Sequence, residues 1–399
     1  MNIHKNIAIV GVGVVSPYGV GIESLRKGIQ GSIASYSLNS KTEKYVMAKC
    51  EDKLLCSHST RGKDRTSKMT LVALEEALET LHGCINTSPD MLGVYSGCAC
   101  GGLEADYEGY KRFFTGRPIS PLSIVKSMSN SALAEICLRV GVKGSSINYS
   151  LACASSSIAI HEARKALLAG EIDMAIAGGV ETPLTETSLA AWTAMGVMNN
   201  EMAPSLKGCR PFDKDRKGLV LGEGAAFFIL ERLSTAISKG RNILAVLSGS
   251  GVSTDSKHIT TPCSEGQETA IKKALKSADL VPNDICLYNA HGTGTEIGDI
   301  TEATTIKKVW GDTQPSISAT KCFTGHLLGA AGALELAIIL DNMMYDYIPS
   351  NINLNSLDER CEINLRKERL DGVKISHAVS SSFAFGGHNV VLVLSKSYD

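Results

Sequence analysis

Cys153 sits in Leu151-Ala152-Cys153-Ala154-Ser155-Ser156-Ser157, after the apolar stretch Ser146 to Ser150 and before the helix-like run Ile158 to Leu168. A short strand feeding a tight turn of small residues, with cysteine where a helix begins, presents a nucleophile. The small side chains let another molecule approach the sulfur, and the unpaired N–H groups and dipole at a helix start favour thiolate over thiol. The plainer reading of a cysteine is a small buried hydrophobe, and it takes most of the chain's 12. Two of the nine histidines lie among glycines and hydroxyls: His291 in Asn289-Ala290-His291-Gly292-Thr293-Gly294-Thr295, and His326 in Lys321-Cys322-Phe323-Thr324-Gly325-His326-Leu327-Leu328-Gly329. A lone histidine is more often a satisfied core or surface group. Cysteine with one histidine and an Asn or Asp would suggest a papain-type hydrolase, whereas two histidines embedded in glycines suggest a site that stabilises a developing oxyanion twice.

The elements that must position these groups alternate between strands and helices. Strand-like stretches are read at Ile7 to Val15, Met91 to Ser96, Ile172 to Val180 and Ala225 to Leu230, with helical patterns at Leu71 to Leu81 and after Cys153. Between Ala190 and Arg216 the chain turns irregular, with Gly196, Asn200, Pro204 and Pro211, and long loops in compact domains tend to be functional. Three short self-matches occur in the same order. Ile7 to Val14 resembles Leu244 to Gly251, Ile147 to Cys153 resembles Ile285 to His291, and Gly222 to Phe227 resembles Gly386 to Val391. They predict a duplicated α/β unit, with residues 1–240 carrying the nucleophile and 241–399 carrying the histidines. On that reading Cys153 and His291 follow equivalent strands and share one site, because ligands gather at the carboxyl ends of such strands.

Composition narrows the classes. With 399 residues, 44% hydrophobic and 20% charged, the chain has ample core, and no apolar run is expected to reach the roughly 18 residues of a membrane helix. The apolar N-terminus, broken by Gly11, Gly13 and Pro17, reads as a strand and turn rather than a signal peptide. Scattered cysteines without repeated spacing suggest free thiols in a reducing cytoplasm. A formal charge of −1 offers no field for nucleic acid or an anionic membrane. Locally, Arg61, Lys63, Arg65 and Lys68 make a cationic run before a helix at Met69 to Leu81, which reads first as a solvated helix entry. Gly11-Val12-Gly13 lacks the last glycine and the acidic partner of a dinucleotide fingerprint, and Cys98-Ala99-Cys100 lacks further ligands at zinc spacing.

These residues resemble the β-ketoacyl-[acyl-carrier-protein] synthases, specifically the type II elongating enzymes and their polyketide relatives. The resemblance rests on Cys153, His291, His326 and Lys321, on Ala290 to Thr295 and Gly325 to Gly332, and on Arg210-Pro211-Phe212-Asp213 with Gly222-Glu223-Gly224, all in family order. It implies the duplicated thiolase fold, layered α-β-α-β-α, working as a homodimer or as a heterodimer with a homologous subunit. It implies that Cys153 accepts an acyl group from phosphopantetheine while the backbone N–H groups of Cys153 and Phe385 hold the oxyanion. His291 and His326 then answer the charge that appears when malonyl thioester loses carbon dioxide. Lys321, paired with Glu335, would hold the second histidine, and Thr260, Thr261, Thr293 and Thr295 would contact pantetheine. No metal or redox cofactor is implied.

The partner implied is an acidic acyl carrier protein, docked on a cationic rim to which Arg61 to Lys68 would contribute, with Ile124 to Leu133 lining the neighbouring subunit's acyl pocket. In the family a phenylalanine at Phe385 gates the cysteine. Ala384, where relatives have glycine, either narrows the gate's backbone states or sits at an ordinary φ and changes nothing, and Asp255 with His258 would steady one gate state. Thiolases carry a second catalytic cysteine that Ser380 to Asn389 lacks, and chain-length-factor subunits lack the nucleophile kept here as Cys153. Fatty-acid elongation and a specialised polyketide or polyene pathway stay open, beside a non-catalytic, chain-length-factor-like or acyl-binding subunit.

Overall fold

The computed structural model describes residues 5–38, 45–56, 60–81, 85–199 and 208–396; Asn200 and Pro204 of the irregular stretch lie outside these residues. Ten strands carry the architecture. In the first half they are β1 (Ile7–Ser16), β2 (Leu92–Gly97), β3 (Ser146–Tyr149), β4 (Met174–Glu181) and β5 (Gly224–Arg232). In the second they are β6 (Ala245–Thr254), β7 (Leu287–Asn289), β8 (Ser316–Ser318), β9 (His377–Ala384) and β10 (His388–Ser395). With the two-residue strand Gly19–Val20 they form an 11-stranded sheet ordered β8-β7-β9-β10-β6-β1-β5-β4-β2-β3. Each half has three parallel strands followed by two antiparallel ones, and the halves join where Ile7, Ala8 and Ile9 pair with Leu247, Val246 and Ala245.

Five layers follow from what packs on what. Helices α1 (Arg65–Glu79) and α3 (Ser131–Val140) cover the outer face of the first half, while α2 (Leu103–Phe114) stands apart from the sheet. Helix α4 (Ser155–Ala169) touches β2 and β4 on one side and β6 and β10 on the other. Helices α5 (Ser264–Ser277) and α6 (Glu296–Trp310) cover the outer face of the second half, and α7 (Ala331–Tyr345) packs beside α4 between the halves. Sandwiched strands read as continuous apolar runs rather than alternating ones, and β1 is buried at every position.

A helix enclosed on all sides is apolar all round, and α7 is buried from Ala331 through Met343. The stretch Leu328–Tyr345 is therefore long and apolar enough to pass for a membrane span, contrary to the expectation that no run reaches that length, and 89% of it is buried inside the protein. Close approach of the two central helices depends on Gly332, where a Cβ would lie 1.9 Å from Ser157 Oγ.

The internal matches need one correction. β1 and β6 hold equivalent places, as do β5 and β10, but β7 is second in its half and corresponds to β2, whereas β3 corresponds to β8. Cys153 and His291 thus follow different strands of the repeat. Short apolar strands look alike in sequence whatever their burial, so Ile147 to Tyr149, on a partly exposed strand, matches Ile285 to Tyr288, which leads into a buried one, without being its counterpart.

Candidate active site

Cys153, His291 and Lys321 each come shortly after the carboxyl end of a parallel strand, β3, β7 and β8 respectively, so the topology gathers them at one rim. The turn before α4 is tighter than the small residues alone required. Ala152 takes φ +44°, a left-handed conformation unusual for a residue with a Cβ. Ser155 Oγ accepts from Leu151 N–H at 2.8 Å and donates to Ala152 O at 2.7 Å, fastening the bend. His326 enters from the loop before α7. Its N–H donates to Val220 O at 2.7 Å and its carbonyl accepts from Gly222 N–H at 3.0 Å, which gives Gly222-Glu223-Gly224 a task as the histidine's backrest.

His326 Nε2 lies 3.0 Å from Cys153 Sγ, and the rings of His291 and His326 meet edge to face at 5.3 Å. The donor atoms of Cys153, His291 and His326 all fall within 4.8 Å of one another, a spacing that would also suit a transition-metal ion. Lys321 Nζ, buried, donates to His291 O at 2.5 Å, lies 3.3 Å from His291 Nδ1 and pairs with Glu335. An ammonium has only donors, so His291 Nδ1 accepts and the ring proton sits on Nε2, the atom free to serve a substrate. The lysine therefore orients His291 directly, where the resemblance had it steadying His326.

Among the carboxylates that escaped the sequence reading, two support the histidine motif. Glu302 accepts from the backbone N–H of His291 and of Gly292, both at 2.8 Å, and from Tyr288 Oη at 3.0 Å. Asp299 accepts from Phe212 N–H at 2.7 Å and Gly294 N–H at 3.1 Å and faces Arg216 at 3.4 Å, so Arg210-Pro211-Phe212-Asp213 and Gly292 to Thr295 are tied through it. The available signal was their three-residue spacing, which puts both on one face of the helix that follows the histidine motif.

Burial dominates the electrostatics. It pushes the Cys153 thiol up to about 12; the Glu181 charge adds to the rise, while Lys321 and the N–H groups of Phe385 and Cys153 pull the other way. The helix start does not make this cysteine a resting thiolate. Burial, reinforced by Lys321, holds both histidines well below the usual imidazole range, so each is neutral near pH 7. Burial also raises the carboxyls of Glu181, Asp299 and Glu335 to about 7.

A cavity of about 490 Å³ is lined by Cys153, His291, His326 and Phe385 and also by Thr260, Thr261, Thr293 and Thr295, so every threonine singled out reaches it. Lys321 stands behind this wall. Ala384 closes β9 with no positive φ, whereas Gly386 and Gly387 take +85° and +73°; the ordinary-φ alternative for Ala384 holds, and the turn's unusual geometry lies two residues later. Asp255 holds that turn through its N–H to Gly387 O at 2.8 Å, but His258 caps its own loop instead, accepting from Thr260 and Thr261 N–H. The cationic run is largely spent internally. Lys63 pairs with Glu135, and Arg65 with Glu223 and Asp52, in the first turn of α1 and not in a solvated entry.

Cys98 is buried with its sulfur 3.6 Å from Glu181, and among the described residues Cys98 and Cys100 join no group of potential metal ligands. The described cysteines are free.

Comparison with known proteins agrees with this geometry. Residues 4–236 match the family described as "Beta-ketoacyl synthase, N-terminal domain" and residues 244–355 match "Beta-ketoacyl synthase, C-terminal domain". The chain is 31% identical to 3-oxoacyl-[acyl-carrier-protein] synthase 2 of Staphylococcus aureus (strain COL), covering 99% of both chains. It is 32% identical to nodulation protein E of Rhizobium meliloti (strain 1021), covering 98% of this chain and 99% of that one. A β-ketoacyl synthase crystal structure from Burkholderia phymatum STM815 superposes with a TM-score of 0.91 at 27% identity, over 98% of this chain and 100% of that one. A type II polyketide ketosynthase solved in complex with its acyl-carrier protein shares the fold, with a TM-score of 0.91 at 24% identity over 98% and 99%. Two family matches that together span most of the chain, and a 31% identity that runs its full length, agree with the site they enclose: this chain belongs to the β-ketoacyl-[acyl-carrier-protein] synthases, acyltransferases of the thiolase fold.

Proposed function

We propose that Cys153, His291 and His326 divide a decarboxylative Claisen condensation between two half-reactions. In the first, the Cys153 sulfur bonds to the carbonyl of an acyl thioester, the bond to the pantetheine sulfur breaks, and the thiol proton leaves with pantetheine. Backbone N–H groups of Cys153 and Phe385, which already favour the thiolate, stabilise the oxyanion. In the second, a malonyl thioester loses carbon dioxide and its electron pair passes into an enolate. His291 Nε2–H and His326 donate to the enolate oxygen; a donor of this kind is typically worth about 2.7–4 kcal/mol. The enolate carbon then bonds to the acyl carbonyl, and the carbon–sulfur bond to Cys153 breaks to give the 3-oxoacyl product, the departing thiolate taking a proton from water to restore the resting thiol. The observation that carries this reading is the mutual approach of the three donor atoms within 4.8 Å on the wall of one cavity.

The carrier of both substrates is an acyl carrier protein, its pantetheine arm passing Thr260, Thr261, Thr293 and Thr295, with no metal or redox cofactor needed. Exposed Arg61 and half-buried Lys68 are what the cationic run leaves for docking it. The working unit is a cytoplasmic dimer. β3 ends the sheet with Ile147 42% exposed, and Phe114, Ile124 and Val125 are 81%, 68% and 57% exposed, apolar side chains that a partner subunit would cover.

The test is a single turnover with acyl and malonyl carrier proteins, read by intact mass and carbon dioxide release. Cys153→Ala loses acylation and condensation together. His291→Ala and His326→Ala keep acylation and lose most carbon dioxide release. Wild-type condensation by Cys153→Ala would sink the assignment.

A further inference from the structure

Trp192 lines the cavity but has no part in the chemistry above. Its indole lies nearly parallel to the Phe385 ring, with centroids 6.0 Å apart and planes at 17°, an offset stack. The backbone N–H of the same phenylalanine is one of the groups that favour the Cys153 thiolate, and both residues line the cavity. One residue thus carries a ring stacked on the helix Glu186–Ala194 and an amide that acts on the nucleophile. The turn that follows can pivot, because Gly386 and Gly387 occupy the left-handed region where glycine is unstrained. On its far side it is fastened by Gly386 N–H to Ile259 O at 2.7 Å and by Asp255 N–H to Gly387 O at 2.8 Å. The aromatic stack is what holds the near side.

We propose that Trp192 is a positioning residue that clamps the Phe385 turn beside Cys153, and thereby sets which acyl groups reach the sulfur. With the stack closed, the Phe385 N–H is ready for the oxyanion of a short acyl group. A long chain has to displace the Phe385 ring, and the stack is part of what it must break. This rests on Cys153 being the acyl acceptor.

Acylation of Cys153 by acetyl- and decanoyl-acyl carrier protein, followed by intact mass in single turnover, tests it. Trp192→Ala slows acetyl transfer about two- to tenfold, the range an aromatic stack is worth, and raises the decanoyl-to-acetyl rate ratio. Trp192→Phe, which can stack, stays near wild type in both. The chain has two tryptophans, so the emission of Trp192 is read as the difference between wild type and Trp192→Phe. That emission shifts when Cys153 carries a decanoyl group, and Phe385→Leu removes the shift. Equal rate ratios in wild type and Trp192→Ala, or an emission unaltered by complete decanoylation, would overturn the clamp. If the wild type were not acylated at Cys153 by either carrier, the assignment of the nucleophile would fall instead.

Discussion

At Cys153 burial and the Lys321 charge act in opposite directions, and burial wins. A thiol pushed up to about 12 is protonated at neutral pH, and its nucleophilicity comes from groups that act as the thioester arrives: Lys321 and the flanking N–H donors. Alkylation of Cys153 by iodoacetamide should therefore rise about tenfold per pH unit from 7 to 10 without levelling, since the thiolate fraction grows that way below the pKa. Lys321→Met removes a charge that favours the thiolate and should lower the rate at every pH. Intact-mass kinetics checks both, and a plateau below pH 9 would show a low-pKa thiolate instead. The cysteine and both histidines were legible because their surroundings are local in sequence. Glu302 and Glu181 were not, because a buried carboxylate acquires its task from the N–H groups it receives. For Glu181 these are Ala99, Cys100 and Gly329, which folding alone brings together.

Elements, unlike residues, were legible in kind but not in pairing. The alternation of strands and helices follows from apolar periodicity, and the helix after Cys153 was foreseen within three residues at its start, Ser155 against Ile158. The helix read from Met69 begins at Arg65 because Asp64 caps it, accepting from Ser67 N–H at 3.0 Å, so two expected docking cations became structural ion pairs. Strand order could not be read at all, since β3 and β7 have similar composition and register depends on neighbours. The place of β3 at the sheet's end carries a prediction. An edge strand with an exposed isoleucine invites pairing, and an outward lysine opposes it. The wild type should elute as a dimer and Ile147→Lys should shift towards monomer with a smaller loss of condensation by any subunit still paired. Light scattering coupled to gel filtration decides, and a monomeric wild type would refute the dimer.

Across the whole molecule the enclosed architecture has a thermodynamic consequence at high pH. A sheet folded around two central helices buries thiols on every layer. Cys50, Cys98, Cys153, Cys209 and Cys322 are all buried, and burial raises each of them, to about 12 for Cys153 and Cys209 and well above the ordinary thiol range for the others. In the unfolded chain the same thiols titrate near their ordinary value of about 8.5. Above that pH the unfolded state releases protons that the folded state keeps. The stability these groups contribute is complete below about pH 8.5 and is lost as pH rises towards 12. Each thiol in that window contributes a slope approaching about 1.4 kcal/mol per pH unit, and five acting together exceed the stability of most domains within two or three units. Buried carboxyls do not offset this, because Glu181, Asp299 and Glu335 titrate near 7 and are already ionised in both states. Thermal unfolding under reducing conditions should therefore show a midpoint nearly constant from pH 7.5 to 8.5 and falling steeply between 9 and 10.5. Cys209→Ala and Cys322→Ala together should make the fall shallower even if they lower the midpoint at pH 8. A midpoint flat to pH 10.5 in the wild type, or an unchanged slope in the double variant, would show that the buried thiols are not what limits the fold in alkali.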